Sequence, residues 1–206
     1  MRSNLLLQPL AVLSLLVFSA FSARSQTVIT FDDLPNSTTG TFIADGYQGL
    51  NWTNFYESNS IIQSNVFGVS GYTYGMVSAS NVAYNGFGNP AEIDSATNFN
   101  FLSAYFAGAW NSNLSIEVQG FRDTNLVYDE TKVVSATNAT LFTFNFLDID
   151  RLYFNSYGGE PAFGGSSRFN FVMDNFMFEY IPEPSTFLLA ALGGVSLVAL
   201  LKRKRP

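Results

Sequence analysis

The chain has 206 residues, 47% hydrophobic and 16% aromatic, with ten Lys and Arg against sixteen Asp and Glu. It contains no Cys and no His, which excludes disulfides, zinc sites built on those ligands, and Ser-His-Asp or Cys-His catalysis. Between Gln26 and Tyr180, four cations (Arg122, Lys132, Arg151, Arg168) face fifteen acids, a net charge of −11 that repels phosphate backbones, so no nucleic-acid partner is expected.

At the N-terminus Arg2 precedes an apolar run from Leu10 to Phe18. Ala23-Arg24-Ser25 then offers small side chains at the −3 and −1 positions of a cut before Gln26. Residues 1–25 therefore read as a secretory signal peptide. From 26 to 180 no useful helical period appears, and short apolar alternations of period two recur instead. Thr27–Phe31 opens the series, and Phe99–Phe101 leads into Ala104–Phe106. Leu114–Val118, Phe142–Phe146, Leu152–Phe154, Phe171–Met173 and Phe176–Tyr180 follow. The apolar parity changes between Met173 and Phe176, which predicts a bulge at Asp174-Asn175. Asp33–Asn36, Asn85–Pro90 and Tyr157–Pro161 are the loop signals.

Many short strands at this spacing predict an all-β domain, a single antiparallel β-sandwich of jelly-roll type. In such a fold the first and last strands lie side by side. Carboxylates of Asp32, Asp33 and Asp174 are then placed to share one structural Ca²⁺, although Asp is equally ordinary at a turn or a bulge. Trp52, Tyr72, Tyr74, Trp110 and Tyr157 fall in or near loops, where a flat ring stacks on a sugar face, while most of the other rings must form the core. The acid pairs Glu92/Asp94, Asp129/Glu130 and Asp148/Asp150 are sequence neighbours of the kind that decorate a solvated face. Nothing among them marks a glycosidase pair, and no catalytic residue is assigned.

The C-terminus reads Ile181-Pro182-Glu183-Pro184-Ser185-Thr186, then an apolar run from Phe187 to Leu201, then Lys202-Arg203-Lys204-Arg205. Pro182 and Pro184 keep the entry extended. The run has 15 residues, short of the roughly 20 of an ordinary span. The four cations hold its end on the cytoplasmic side, as a stop-transfer tail. These three features in this order resemble a PEP-CTERM sorting signal over residues 181–206. The resemblance implies a C-terminal transmembrane sorting helix and removal of the tail by exosortase, a membrane protease. It further implies passage through the inner membrane of a Gram-negative-type bacterium to the envelope, surface or exopolysaccharide matrix. The middle, through Ile29–Leu34 and Phe171–Phe176, is similar to the lectin-like jelly rolls that often precede such tails. Two functions share that address: a non-catalytic surface or biofilm-matrix protein, and a carbohydrate-binding module for exopolysaccharide or cell-surface glycan.

Overall fold

The computed structural model describes residues 26–181, apart from 38 and 166. The expected signal helix, Pro182, Glu183, Pro184, the sorting helix and Lys202–Arg205 lie outside the described residues. Among the described residues no helix is long and apolar enough to cross a membrane.

Alternation of apolar and polar side chains gives twelve strands in the described region. They are β1 (Gln26–Ile29), β2 (Thr41–Phe42), β3 (Asn51–Thr53), β4 (Phe55–Asn59), β5 (Asn81–Asn85) and β6 (Ala91–Gly108). The second half has β7 (Asn111–Ser112), β8 (Leu114–Arg122), β9 (Asn125–Val134), β10 (Thr140–Tyr157), β11 (Glu160–Pro161) and β12 (Phe171–Tyr180). Ten of them join in one antiparallel sheet along β2-β4-β5-β12-β6-β10-β8-β9, with β1 added beside β12 and β3 beside β6. The pair β7–β11 stands apart. First and last strands are neighbours, Ile29 facing Phe176 and Gln26 facing Glu179.

Two 18-residue strands, β6 and β10, bend this sheet over its own core. Their pairing slips between Thr143 and Phe146, and again on either side of Ile149. Asn145 and Asp148 take φ of 52° and 58° there, a left-handed conformation that Asn and Asp tolerate well. In β12 the register shifts between Asp174 and Met177, with Asn175 at φ 50°, at the position where the apolar parity changes. On one side of the bends lie β4, β5, β12 and the end of β6; on the other lie β3, the start of β6, β8 and β9.

Aromatic rings close the space between the two layers. Phe154 of β10 meets Phe55 of β4 at 5.6 Å and Phe171 of β12 at 5.8 Å, and Trp52 of β3 meets Phe176 of β12 at 6.0 Å. The first and last of these are edge-to-face, a geometry that adds about 0.5–1.5 kcal/mol each to the burial of the rings. The result is the antiparallel sandwich that the alternation predicts.

Between β4 and β5 the chain departs from the strand pattern. Ser60–Phe67 is a helix, capped by Asn59, whose side-chain oxygen accepts from the Ile62 N–H at 3.0 Å. Gly71–Gly75 forms a second, shorter helix. Ile61, Val66 and Phe67 of the first are exposed, so its apolar residues do not form the inward stripe by which a helix is read from sequence.

Candidate functional site

The outer face of the β4–β5–β12 layer carries an in-register row across four strands. Tyr56 faces Tyr84, Tyr84 faces Val172, and Val172 faces Ala107. Their sequence neighbours Phe55, Ala83, Phe171 and Phe106 point the other way into the core. The Gly71–Gly75 helix lies directly on this row. A Cβ on Gly71 would stand 1.8 Å from the Gly108 carbonyl oxygen, and one on Gly75 would meet Val172 at 2.7 Å. Only glycine permits that approach, which brings Tyr72 against Tyr84 (5.2 Å) and Trp110 (5.8 Å). Asp174 fixes the loop that follows: its carboxylate accepts from the N–H groups of Val77 and Ser78 and from the Ser78 hydroxyl, each at 2.7 Å.

One rim is built by Trp110 and the segment that returns past it. Buried Asn111 donates its amide N–H to Gly158 O (3.0 Å) and Ser167 Oγ (2.7 Å), and its amide oxygen accepts from Arg168 N–H (3.1 Å). Ala162 N–H donates to Trp110 O at 2.9 Å. Arg168 is thereby held with its guanidinium 5.3 Å from the Trp110 ring centre, a cation–π arrangement. The facing rim is Phe87, at the tip of the turn Gly86–Gly88, 86% exposed and at φ 58°. A bulky side chain held at positive φ and turned to solvent is strained backbone of the sort found at binding sites. Its ring meets the Tyr56 ring edge-on at 6.2 Å.

A concavity of about 480 Å³ lies between the two rims, and two more, of about 230 and 260 Å³, reach from Trp110 toward Phe67; Trp110 and Arg168 border all three. Thr39, Ser58, Gln63, Ser167 and Asn170 supply polar edges, and no Asp or Glu lines any of the three. Burial pushes the Tyr84 hydroxyl up to about 12, and it donates to Thr39 O at 3.3 Å. Burial pushes the Tyr72 hydroxyl well up, with Arg168 nearby drawing it the other way. Both hydroxyls remain protonated donors at neutral pH. Flat apolar faces, neutral hydrogen-bonding groups and one cation therefore converge in one concave place.

Of the aromatic residues singled out in the sequence, Tyr72 and Trp110 lie in this groove. Tyr74 is exposed beside it, stacked on Phe163 at 6.3 Å with the planes 8° apart. Tyr157 is exposed but does not line it. Trp52 must be corrected: it is 0% exposed, packed among Phe31, Phe55 and Phe176 in the core, with its indole N–H satisfied by Tyr47 O at 3.0 Å. Tyr56, Tyr84, Phe87 and Arg168 were not legible as site residues. Phe87 between two glycines was the available signal.

The acids expected to share calcium are each held by protein donors. Asp32 accepts from Asn81 N–H (3.0 Å), Asp33 from the Tyr47 hydroxyl (2.5 Å) and Gln48 amide (3.3 Å), and Asp174 also from Asn175 N–H (2.7 Å). A cation at Asp174 would have to displace four donors. Among the described residues, no three acids gather in a way that could hold a metal ion. Nor do the acid pairs reach the groove: Asp148 pairs with Arg122 (3.0 Å), Glu92 with Arg151 (3.6 Å) and Glu130 with Lys132 (2.6 Å).

No curated protein matches the chain in sequence. Among solved structures it is similar to a DUF4465-family protein from Bacteroides ovatus (TM-score 0.42, 11% identity, 77% of this chain and 95% of that one). It is similar to the family 32 carbohydrate-binding module of C. perfringens NanJ in complex with galactose (TM-score 0.31, 9% identity, 77% and 93%). TmCBM61 in complex with β-1,4-galactotriose is a third (TM-score 0.34, 8% identity, 75% and 99%). Residues 181–205 match the PEP-CTERM protein-sorting motif, which marks the chain as an exported protein, anchored transiently in the membrane and sorted by exosortase to the surface.

Proposed function

We propose that the sandwich is a non-catalytic, carbohydrate-binding module that exosortase processing delivers to the envelope or exopolysaccharide matrix of a Gram-negative-type cell. One observation carries the reading: Trp110, Phe87, Tyr56, Tyr72 and Tyr84 come from four separate stretches of chain and converge on one groove with hydrogen-bonding edges and one cation. Sugar rings offer an apolar face for stacking and hydroxyls for donors and acceptors, and this lining matches both. A protein that only filled space in a matrix would have no need of a strained, exposed Phe at the groove's edge. With no carboxylate in the lining, the groove holds no acid-and-base pair for glycoside cleavage, so binding without hydrolysis is the consistent chemistry.

A glycan array tests this. Saturable binding to a restricted set of sugars is expected. Phe87→Ala should weaken it about threefold to tenfold, the effect of losing ~0.5–1.5 kcal/mol of ring contact, without lowering the melting temperature, because Phe87 is not part of the core. An array without sugar-specific signal would contradict the proposal.

A further inference from the structure

Resting on that glycan reading, we infer that the groove selects acidic sugars, with the Arg168 guanidinium taking the carboxylate of a uronate-type residue while Trp110 and Phe87 hold ring faces. Three of the four cations in residues 26–180 are neutralised locally, Arg122 by Asp148, Lys132 by Glu130 and Arg151 by Glu92. Arg168 is the fourth. Its guanidinium makes neither an ion pair nor a side-chain hydrogen bond with any described residue. Yet it borders all three concavities, whose linings contain none of the fifteen acids of residues 26–180.

The placement is not incidental to packing. Asn111 anchors the backbone on both sides, at Gly158 and at Arg168 itself, and the guanidinium carbon lies over the Trp110 ring. No described residue claims the guanidinium N–H groups, and a planar guanidinium fork is the geometry that binds a carboxylate bidentately. Excess negative charge elsewhere sharpens the selection. A dense polyanion is repelled by the domain as a whole, whereas one carboxylate directed at Arg168 is attracted at short range.

Calorimetry on the full chain in neutral detergent tests the inference, using neutral galactose- and mannose-based oligosaccharides that carry a single galacturonate or mannuronate residue, each paired with its carboxyl-reduced counterpart. The acidic form is expected to bind about tenfold or more tightly than the reduced form. Arg168→Gln should abolish that difference, whatever its effect on the reduced oligomer, because the acidic form loses more affinity than the reduced one; Arg168→Lys should be intermediate because it keeps the charge and loses the fork. Equal affinity for both forms would overturn the acidic preference while leaving the glycan reading intact. Equal weakening of both forms by Arg168→Gln would also overturn it, since Arg168 would then act only by supporting Trp110. Sulfated oligosaccharides that bind where the uronates do not would overturn the carboxylate assignment. Binding of no oligomer at all would end both the inference and the glycan reading on which it rests.

Discussion

Glu57 is a buried acid on β4, 1% exposed, and neither carboxylate oxygen has a partner at hydrogen-bonding geometry. Burial pushes its carboxyl above the usual range. Thr41, opposite it across the β2–β4 ladder, only partly counters that. A raised folded value means that Glu57's contribution to stability is complete below its unfolded value of 4.5 and is lost as pH rises through the folded value. Asp174 has the same sign: burial raises it above 3.8, and the donors of Ser78, Val77 and Asn175 pull it back. Glu57→Gln should therefore raise the melting temperature at pH 7 by a few degrees, the effect of about 1 kcal/mol on a domain of this length, and change it little at pH 4. Thermal melts across that range check this, and a variant destabilised equally at both pH values would contradict it. Nothing in the local sequence Phe55-Tyr56-Glu57-Ser58 distinguishes this Glu from a solvent-facing one. Its burial follows from its place on the same face of β4 as Phe55, in the sheet between β2 and β5.

At the scale of elements, alternation made β1, β8, β12 and much of β6 and β10 legible, because one face of each is uniformly apolar. The bulge at Asp174-Asn175 was readable for the same reason: a parity change has few other physical causes. The groove was not legible, since it depends on which strands pair. Tyr56 and Tyr84 are 28 positions apart and meet only through the β4–β5 register. The helix Gly71–Gly75 is too short and too rich in glycine and tyrosine to announce itself. Asp174, read from sequence either as a cation ligand or as a bulge residue, ties the loop after that helix to β12. Asp174→Asn turns one acceptor into a donor among four donors. It should cost about 1–3 kcal/mol of stability and weaken glycan binding through the Tyr72 loop. Calcium and chelator should leave the melting temperature of the unmodified protein unchanged. A calcium-specific rise that magnesium does not reproduce would contradict that assignment.

Over the whole molecule, the address and the cargo were legible to different degrees. A sorting signal is a linear code of Pro-Glu-Pro, apolar run and cations, so it survives in sequence alone. A binding groove is assembled from distant segments and does not. If residues 181–205 act as that code, intact mass of the native protein should lack Met1–Ser25 and everything beyond Pro184. Glu183→Ala should leave an uncleaved, membrane-held form, and native protein retaining Lys202–Arg205 would contradict the processing. The binding claim has a direct optical reporter. The chain has two tryptophans, of which Trp52 is sealed in the core and Trp110 borders the groove. Acrylamide, a neutral quencher, should therefore quench Trp110 and spare Trp52. Polysaccharide released from the surface of the exporting cells should protect Trp110 in a saturable way, and Trp110→Phe should remove both the quenching and the protection. Quenching of Trp110 that stays constant at every polysaccharide concentration would show that the groove takes no glycan.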